Sequence, residues 1–209
     1  PTEARSIVGK EMTALEVYKK VASDVLFYNE SGGGVTLSGG EVFVQPEFAA
    51  AVLKLCKDNN IHTAIETCGF AQWETMEKVL SYVDLVMYDL KHLDTVEHEK
   101  CTGAPNETIL ENLKKIHHKL HLPINIRIPI IPGYNNSIKN MEATAEFIAN
   151  ELDKSVKVNL LPYHRMGEGK RQNLEDVMNA FSTTSPTDEE MDKLKKMFEW
   201  YGIEASIGG

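Results

Sequence analysis

The sequence predicts an α/β protein, a partial TIM-like (β/α) barrel of parallel strands with helices on its outside. Short apolar runs alternate with longer amphipathic stretches over the whole chain of 209 residues. This alternation is typical of parallel sheets, in which each strand is followed by a helix that covers it. About six strands and six helices fit a barrel or partial barrel better than a short open sheet. Because a barrel normally begins with a strand and this pattern begins with a helix, we expect the first strand to be missing.

The predicted strands are short apolar runs that stop at glycine, proline or a polar residue. The first run, Val35 to Leu37, ends near two glycines, and Pro132 stops the run that begins at Ile124. The predicted strands are residues 35–37, 62–67, 84–91, 124–131, 156–161 and 203–207.

The predicted helices carry start signals and an apolar stripe. Thr13 with Glu16, and Thr187 with Glu190, each match a capping box, in which the two side chains bond free N–H groups of the first turn. Pro46 predicts a further start, because proline is favoured in a first helical turn. Two more helices are predicted at residues 73–83 and 109–120. Apolar stripes define the remaining faces: Leu15, Tyr18, Ala22 and Val25; Met141, Ala145, Ile148 and Leu152; Met191, Leu194, Phe198 and Tyr201.

Composition indicates one folded domain with neither a membrane nor a nucleic-acid partner. Hydrophobic residues make up 42% and charged residues 25% of the chain, as in ordinary globular proteins. No run approaches the roughly 20 apolar residues of a membrane helix, and no secretory signal is present, so we expect a cytoplasmic protein. The formal net charge is −9, and the one small basic cluster, at residues 114–121, is expected to be a solvated helix face.

The three cysteines, Cys56, Cys68 and Cys101, lie far apart in the sequence. An odd, sparse set in a chain without a signal is typical of reduced thiols. No two of them have the close spacing of a zinc or iron–sulfur loop, so the sequence carries no local metal-cluster motif.

Polar residues occur near the carboxyl ends of the predicted strands, where barrels and doubly wound sheets place active sites. They include Ser38, Glu41, Glu66, Thr67, Asp89, Lys91, Asn125, Arg127, Asn159 and His164. Alternation along a strand places Met87, Asp89 and Lys91 on one side. Burial of such groups costs several kcal/mol each unless partners or a ligand satisfy them. One interpretation is a pair of ion pairs, Glu66–Arg127 and Asp89–Lys91, that only brace the barrel, and the other is a ligand site.

The charges in this set favour a zwitterionic ligand. Two carboxylates, two cations and an imidazole suit a molecule that carries both an amine and a carboxylate. Gly39 and Gly40 allow the backbone to approach closely, and Glu41 is able to accept from an ammonium group. A phosphate-binding loop is the competing interpretation, and it fails because no Gly-Lys-Ser/Thr follows the glycines.

Five short motifs, in order, resemble those of one enzyme family. They are Val35-Thr36-Leu37-Ser38-Gly39-Gly40-Glu41, Glu66-Thr67-Cys68-Gly69, Met87-Tyr88-Asp89-Leu90-Lys91, Ile126-Arg127 and Leu160-Leu161-Pro162-Tyr163-His164. The set resembles the radical S-adenosylmethionine enzymes, and within them the activating enzymes of glycyl radical enzymes, the family of pyruvate formate-lyase activating enzyme. Gly-Gly-Glu alone occurs by chance, but five motifs at matching spacing over residues 13–207 are a specific signal.

The resemblance implies a role for each matching residue. Gly39, Gly40 and Glu41 would bind the methionyl amino end of S-adenosylmethionine. Lys91 and Arg127 would hold its carboxylate and ribose side. The full set of implied S-adenosylmethionine-binding residues is Gly39, Gly40, Glu41, Glu66, Lys91, Arg127 and His164, the last at the nucleoside end.

The resemblance also implies a monovalent-cation site beside that carboxylate, at Glu66, Thr67, Met87 and Asp89. Oxygen ligands suit a hard cation, and Met87 would contribute its backbone carbonyl. Glu66 stands where pyruvate formate-lyase activating enzyme has aspartate.

The sequence departs from the family in one respect, because it lacks the Cys-x3-Cys-x2-Cys loop that holds a [4Fe–4S] cluster. Residues 1–4, Pro-Thr-Glu-Ala, resemble the end of a bacterial ferredoxin-type cluster motif. We therefore expect residues 1–12 to be a remnant that follows a ferredoxin-like insert, and residues 13–209 to form the radical S-adenosylmethionine partial barrel. The cluster would then belong to an intact parent protein.

For that parent the resemblance implies reductive cleavage of S-adenosylmethionine, with the electron delivered by a reductant such as flavodoxin or ferredoxin. The resulting 5′-deoxyadenosyl radical would abstract hydrogen from a backbone glycine of a partner glycyl radical enzyme. The present chain is expected not to catalyse this reaction, so no catalytic residue is assigned within it.

Two other functions remain open at this point. A barrel lyase or aldolase would use Lys91 as a Schiff-base nucleophile, although a carboxylate at Asp89 favours the charged lysine and counts against it. A non-catalytic module would hold a partner's peptide against the barrel rim. Residues 167–185 form the one long irregular stretch, and we expect an ordered loop over the site.

Overall fold

The computed structural model describes residues 9–164 and 183–208. These residues form one sheet of six parallel strands in chain order, with β1 and β6 at its two edges. The predicted α/β fold is confirmed, and the sheet is open, as expected for a partial barrel. The strands are β1 (Gly34–Leu37), β2 (His62–Thr67), β3 (Leu85–Asp89), β4 (Ile124–Ile130), β5 (Lys157–Pro162) and β6 (Ala205–Ile207).

Helices connect and cover the strands. Among the described residues, no helix is long and apolar enough to cross a bilayer. A 3₁₀ turn at Val42–Val44 precedes the third helix, and a π-helical turn at Ile116–Leu120 extends the sixth. The α-helices are α1 (Ala14–Ala22), α2 (Val25–Ser31), α3 (Pro46–Asp58), α4 (Trp73–Leu80), α5 (Thr95–Thr102), α6 (Glu107–Lys115), α7 (Ile138–Glu151) and α8 (Asp188–Trp200).

The predicted helix starts are confirmed, while the first predicted helix is wrong in its extent. Both capping boxes form, and Pro46 occupies the first turn of α3. The first helix ends at Ala22, where the Ser23 hydroxyl donates to the Lys20 carbonyl at 2.6 Å, and Val25 begins a separate helix. Leu15, predicted to lie on the packed face, is 50% exposed.

Helix α5 has no counterpart among the predicted helices. Its sequence has no apolar stripe, and His98 is its only buried residue. Local bonds define its ends, because the Asp94 side chain accepts from the Glu97 N–H at 3.1 Å and Gly103 closes it at φ 82°. The helix lies beside the carboxyl end of β3, so this difference concerns the site directly.

The two faces of the sheet differ in character. Ile65, Val86, Tyr88 and Ile126 belong to the face that the helices cover, and each is 0% exposed. We call it the covered face. The alternate residues of β3 and β4 are partly buried and include charged and polar side chains, and we call their side the open face. The open face carries Glu66, Met87, Asp89, Asn125 and Arg127.

Strand register places the polar residues of the open face side by side. Glu66 is level with Met87, and Met87 is level with Asn125. One step further toward the carboxyl edge, Asp89 is level with Arg127. The loop predicted at residues 167–185 lies mostly outside the described residues, as do residues 1–8 of the predicted remnant, so both stay predictions.

Candidate active site

The residues predicted to bind a ligand all lie along the carboxyl-terminal edge of the sheet. The Gly-Gly-Glu turn (Gly39, Gly40 and Glu41) follows β1, and Glu66 and Thr67 end β2. The remaining predicted residues are Met87 and Asp89 in β3, Lys91 two residues beyond it, Arg127 in β4 and His164 two residues beyond β5.

A cleft of about 540 Å³ opens at this edge. It brings together Asp89, Lys91 and Arg127, and we call it the β3–β4 cleft. The charged residues share it with the apolar side chains of Pro129, Ile131 and Leu161. The rest of the lining comes from β3's following loop, from α5 and from the loop before α7: His92, His98, Cys101, Thr102, Tyr134 and Asn135.

The other predicted residues lie outside this cleft. Gly40 and Glu41 line a separate depression of about 320 Å³, together with Ser38. His164 is exposed and lines neither space.

Glu66 connects the two spaces. One of its carboxylate oxygens accepts from the Ser38 hydroxyl at 2.7 Å, and the other pairs with the Arg127 guanidinium. The predicted Glu66–Arg127 ion pair is therefore confirmed. The carboxylate is already engaged on both oxygens by the protein, and this fixes the direction of Arg127 across the open face.

Asp89 is in the opposite situation. Its Oδ1 is buried and has no hydrogen-bond partner, and it makes no ion pair with Lys91, although both residues are described. The Asp89–Lys91 half of the bracing interpretation is therefore wrong. Burial raises the pKa of the Asp89 carboxyl above its usual value, while the nearby positive charges of Lys91 and Arg127 oppose the rise.

Asn125 provides a second buried oxygen of the same kind. Its Oδ1 also lacks a hydrogen-bond partner within the described part of the chain. Asn125 lies one register step below Arg127, on the same face as Asp89. Buried acceptors without a partner are rare in native proteins and indicate a missing ion, water or ligand. The two oxygens fit a cationic or hydrogen-bond-donating group bound against the open face.

The Glu41 side chain joins the Gly-Gly-Glu turn to the end of β2. Its carboxylate accepts from the Thr67 hydroxyl at 2.7 Å, from the Cys68 N–H at 3.0 Å and from the Cys68 thiol at 3.1 Å. Since both oxygens are engaged, the turn offers a ligand its backbone more readily than this carboxylate. A Cβ at Gly39 or Gly40 would meet no atom of the described residues within 4 Å, and Gly39 has φ +112°, so a ligand has room to approach that backbone.

Thr67 faces away from Glu66 and Asp89. It is 3% exposed, and its hydroxyl, besides donating to Glu41, accepts from the Gly69 N–H at 2.8 Å. The hydroxyl is thus a structural group on the covered side. Of the four residues predicted to bind a cation, Glu66, Met87 and Asp89 share the open face.

The described residues contain no group of three or more His, Cys, Asp or Glu side chains arranged to hold a metal ion. The three cysteines are free and lie apart, with Cys56 buried in α3, Cys68 partly buried after β2 and Cys101 exposed in α5. Burial raises the pKa of the Cys68 thiol, so it is a weak nucleophile at neutral pH.

Sequence reasoning missed four buried asparagines that fix the loops of this edge: Asn106, Asn112, Asn135 and Asn140. Asn112, for example, donates to the Gly69 and Ala71 carbonyls, both at 2.9 Å. A signal was present, because an asparagine between Ile109 and Leu113 interrupts an apolar stripe. Buried amides of this kind are retained where loop carbonyls need donors.

Comparison with known families agrees with this fold and with the residues at its carboxyl edge. The Radical SAM superfamily model matches residues 4–148, which is more than half of the chain, and the chain belongs to the radical S-adenosylmethionine superfamily. Within it, the relatives are activating enzymes of glycyl radical enzymes.

Three similar proteins support this assignment within the superfamily. The trans-4-hydroxy-L-proline dehydratase activating enzyme of Clostridioides difficile is 40% identical over 99% of this chain and 68% of its own length. The choline trimethylamine-lyase activating enzyme of Oleidesulfovibrio alaskensis is 38% identical over 99% of this chain and 67% of its own length. The crystal structure of a domain of pyruvate-formate lyase-activating enzyme from Bacteroides vulgatus superposes with a TM-score of 0.71 at 35% identity, covering 85% of this chain and 99% of that one. The chain thus spans about two thirds of the two curated relatives.

Proposed function

We propose that this chain is the S-adenosylmethionine-binding part of a parent enzyme that installs a radical on a backbone glycine of a partner glycyl radical enzyme. The observation that carries the proposal is the convergence of Asp89, Lys91 and Arg127 at one cleft of the carboxyl edge, beside a turn whose backbone is open. Two cations with one unpartnered carboxylate suit a ligand with both an amine and a carboxylate.

The residues of the chain would bind and orient this ligand. Lys91 and Arg127 would hold the carboxylate and ribose side, and the backbone of Gly39, Gly40 and Glu41 would receive the amino end. Arg127 is pre-oriented because Glu66 pairs with it. His164, exposed beyond β5, would meet the nucleoside end. The role of the protein is positioning and exclusion of water.

A monovalent cation would lie beside the ligand carboxylate, with Glu66, Thr67, Met87 and Asp89 as its ligands. The unpartnered Oδ1 of Asp89 supports this proposal. Because the Thr67 hydroxyl is engaged with Glu41, Thr67 would contribute its backbone carbonyl, as would Met87. A cation there would also offset the cost of burying the Asp89 charge.

The [4Fe–4S] cluster would be held by cysteines of the parent outside this chain, in a segment that also carries a ferredoxin-like insert, and residues 1–12 would be the remnant that follows this insert. When bound, it supplies the electron that cleaves S-adenosylmethionine into methionine and a 5′-deoxyadenosyl radical, and a flavodoxin or ferredoxin would reduce it. The unpaired thiols of Cys56, Cys68 and Cys101 support a reducing compartment, and we place the parent in the cytoplasm.

The test uses the parent protein, purified without oxygen and reconstituted with iron and sulfide. We expect 5′-deoxyadenosine from S-adenosylmethionine under strong reductant. Substitution of Lys91 by glutamine should lower kcat/KM about 100-fold, since a charge-assisted contact is lost at the ligand. Lys157→Gln is the matched control, because Lys157 is exposed at the opposite end of the sheet, where it pairs with Glu204.

A loaded cluster without any 5′-deoxyadenosine would contradict the proposal. Borohydride trapping of a carbonyl substrate on Lys91 would then favour the lyase or aldolase alternative. Partner binding that survives loss of Glu66, Asp89, Lys91 and Arg127 together, with no turnover, would favour the peptide-binding module.

A further inference from the structure

The backbone ladder between β3 and β4 stops where the β3–β4 cleft begins. The Val86 N–H donates to the Pro123 carbonyl at 2.9 Å, and the Leu90 N–H donates to the Arg127 carbonyl at 2.9 Å. Pro129 occupies the next donor position on β4, and proline has no N–H to give. The continuation of β3 and the end of β4 therefore lack the next backbone bond, just beyond Leu90 and Arg127.

The side chain of Asn135 bridges the two strands at this point. Its amide donates to the Lys91 carbonyl at 2.9 Å and to the Pro129 carbonyl at 2.5 Å, so it joins the continuation of β3 to β4. Its Oδ1 accepts from the Ile131 N–H at 2.8 Å. Asn135 is 5% exposed, and every bond that its amide makes goes to the backbone on one side or the other of the cleft.

Asn140 holds Asn135 in turn. Its amide donates to the Asn135 carbonyl at 2.8 Å, and its Oδ1 accepts from the Leu93 N–H at 3.1 Å. Asn140 stands in the first turn of α7, which is capped by the Ser137 hydroxyl at 3.3 Å from the Asn140 N–H. The pair therefore links three segments: the residues after β3, the end of β4 and the start of a long helix.

We infer that Asn135 is a positioning residue, whose amide bridges the continuation of β3 and the end of β4 where Pro129 interrupts the backbone ladder, and which thereby sets the spacing of Lys91 and Arg127 for the ligand that bridges them. The inference rests on the proposed function for the identity of that ligand, S-adenosylmethionine. Asn135 lines the β3–β4 cleft, but the hydrogen bonds of its side chain go to backbone groups, so we expect its effect on the ligand to act through Lys91 and the Pro129–Ile131 segment.

The first measurement is steady-state kinetics on the reconstituted parent protein. Asn135→Ala removes both donated bonds, and we expect KM for S-adenosylmethionine to rise about tenfold while kcat stays within about twofold. Asn135→Asp keeps the acceptor for the Ile131 N–H but loses the donors, so it should resemble the alanine variant. Thr63→Val is the control, because Thr63 is equally buried and bonds Tyr82 and Asp84 at the amino edge of the sheet. It should lower Tm without a change in KM.

The second measurement is hydrogen exchange of backbone amides in the present chain, which needs neither cluster nor activity. Asn135→Ala should speed exchange at Leu93 and Ile131, and Pro129→Val, which restores a backbone N–H, should recover part of the protection in the double variant. The two variants should therefore be coupled rather than additive.

The outcomes separate the inference from the proposed function. A wild-type parent that cleaves S-adenosylmethionine, together with an Asn135→Ala variant whose KM is unchanged, would overturn the inference and leave the function intact. A wild-type parent that neither binds nor cleaves S-adenosylmethionine would overturn the function. In that case the exchange experiment still tests whether Asn135 links β3 to β4. Unchanged exchange at Leu93 and Ile131 would overturn this link.

Discussion

The covered and open faces of the sheet are built from alternate residues of the same strands and serve different ends. On β3 and β4 the covered face carries Val86, Tyr88 and Ile126, all 0% exposed and packed against helices. One residue away, the open face carries Asp89 and Asn125, each with a buried oxygen that has no partner in residues 9–164 and 183–208. The covered face stabilises the fold by burying apolar side chains, whereas the buried polar groups of the open face reduce the free energy of unfolding.

The contrast between the two faces shows how a small parallel sheet accommodates a charged site. Parallel strands normally bury apolar side chains on both faces. Here one face retains that pattern, and the other keeps groups that only a ligand would satisfy fully. Substitutions on the two faces should therefore change the free energy of unfolding by different amounts and, in one case, in the opposite direction.

The largest effect is expected in the covered face. Ile126→Ala should lower the free energy of unfolding by about 2–5 kcal/mol, because the site is closed and leaves a cavity. Met87→Ala, on the open face of the neighbouring strand, should cost less than half of that, since Met87 is only partly buried. Urea denaturation of the present chain measures both. Equal losses would show that the two faces are packed alike.

The next largest loss of stability is expected at Gly69, which lies against Tyr88 of the covered face. Gly69 has φ +71°, and a Cβ there would lie 1.6 Å from the Tyr88 hydroxyl oxygen. Gly69→Ala should cost about 2–3 kcal/mol, from the left-handed backbone and from displacement of Tyr88 off the Ile109 carbonyl. Gly40→Ala is the control, because a Cβ at Gly40 meets nothing within 4 Å. Thermal unfolding should leave Gly40→Ala near wild type, and a comparable loss in both would contradict the steric argument.

A smaller loss of stability is expected where Thr67 bonds Glu41 and so links the end of β2 to the turn after β1. Thr67→Val keeps the shape but removes the hydroxyl that donates to Glu41, so unfolding should become easier by about 1 kcal/mol. Thr67→Ser should restore most of the loss. A valine variant as stable as wild type would mean that the Cys68 donors alone hold the Gly-Gly-Glu turn.

The smallest effect has the opposite sign. Burial raises the pKa of the Asp89 carboxyl, so the folded state binds that proton more tightly than the unfolded state does. The resulting stability is present below the unfolded pKa, about 4, and is lost as the pH rises through the folded value. Asp89→Asn should therefore be slightly more stable than wild type near neutral pH, with the difference shrinking toward about pH 4. Stability curves against pH test this, and a less stable Asn variant at neutral pH would contradict it.

Much of the fold was predictable because its signals are local. The strand at His62–Thr67 was predicted to the residue, and both capping boxes form with their expected bonds. Helix α5 was not predicted, since Thr95–Thr102 has a cap at each end but no apolar stripe. Because α5 was not predicted, the cleft-lining residues His98 and Cys101 were not predicted either.

The candidate site was predictable in its members but not in its bonds. Residue type and order pointed to Glu66, Asp89, Lys91 and Arg127. Side-chain alternation also placed Asp89 and Lys91 on one side of their strand. Nothing in the sequence distinguished Glu66, which pairs with Arg127, from Asp89, whose Oδ1 has no partner among the described residues. That distinction depends on which side chain across the sheet reaches which oxygen.

The α/β alternation, the helix starts and the set of charged residues at the strand ends could be predicted from the sequence, because each depends on neighbours a few positions apart. The bonds of Glu41 to Thr67 and Cys68, and the link that Asn135 makes where Pro129 interrupts the ladder, are visible only in the folded chain. Those bonds join segments 26 to 44 residues apart. Their partners are chosen by strand register and loop geometry, which arise only once the sheet has formed.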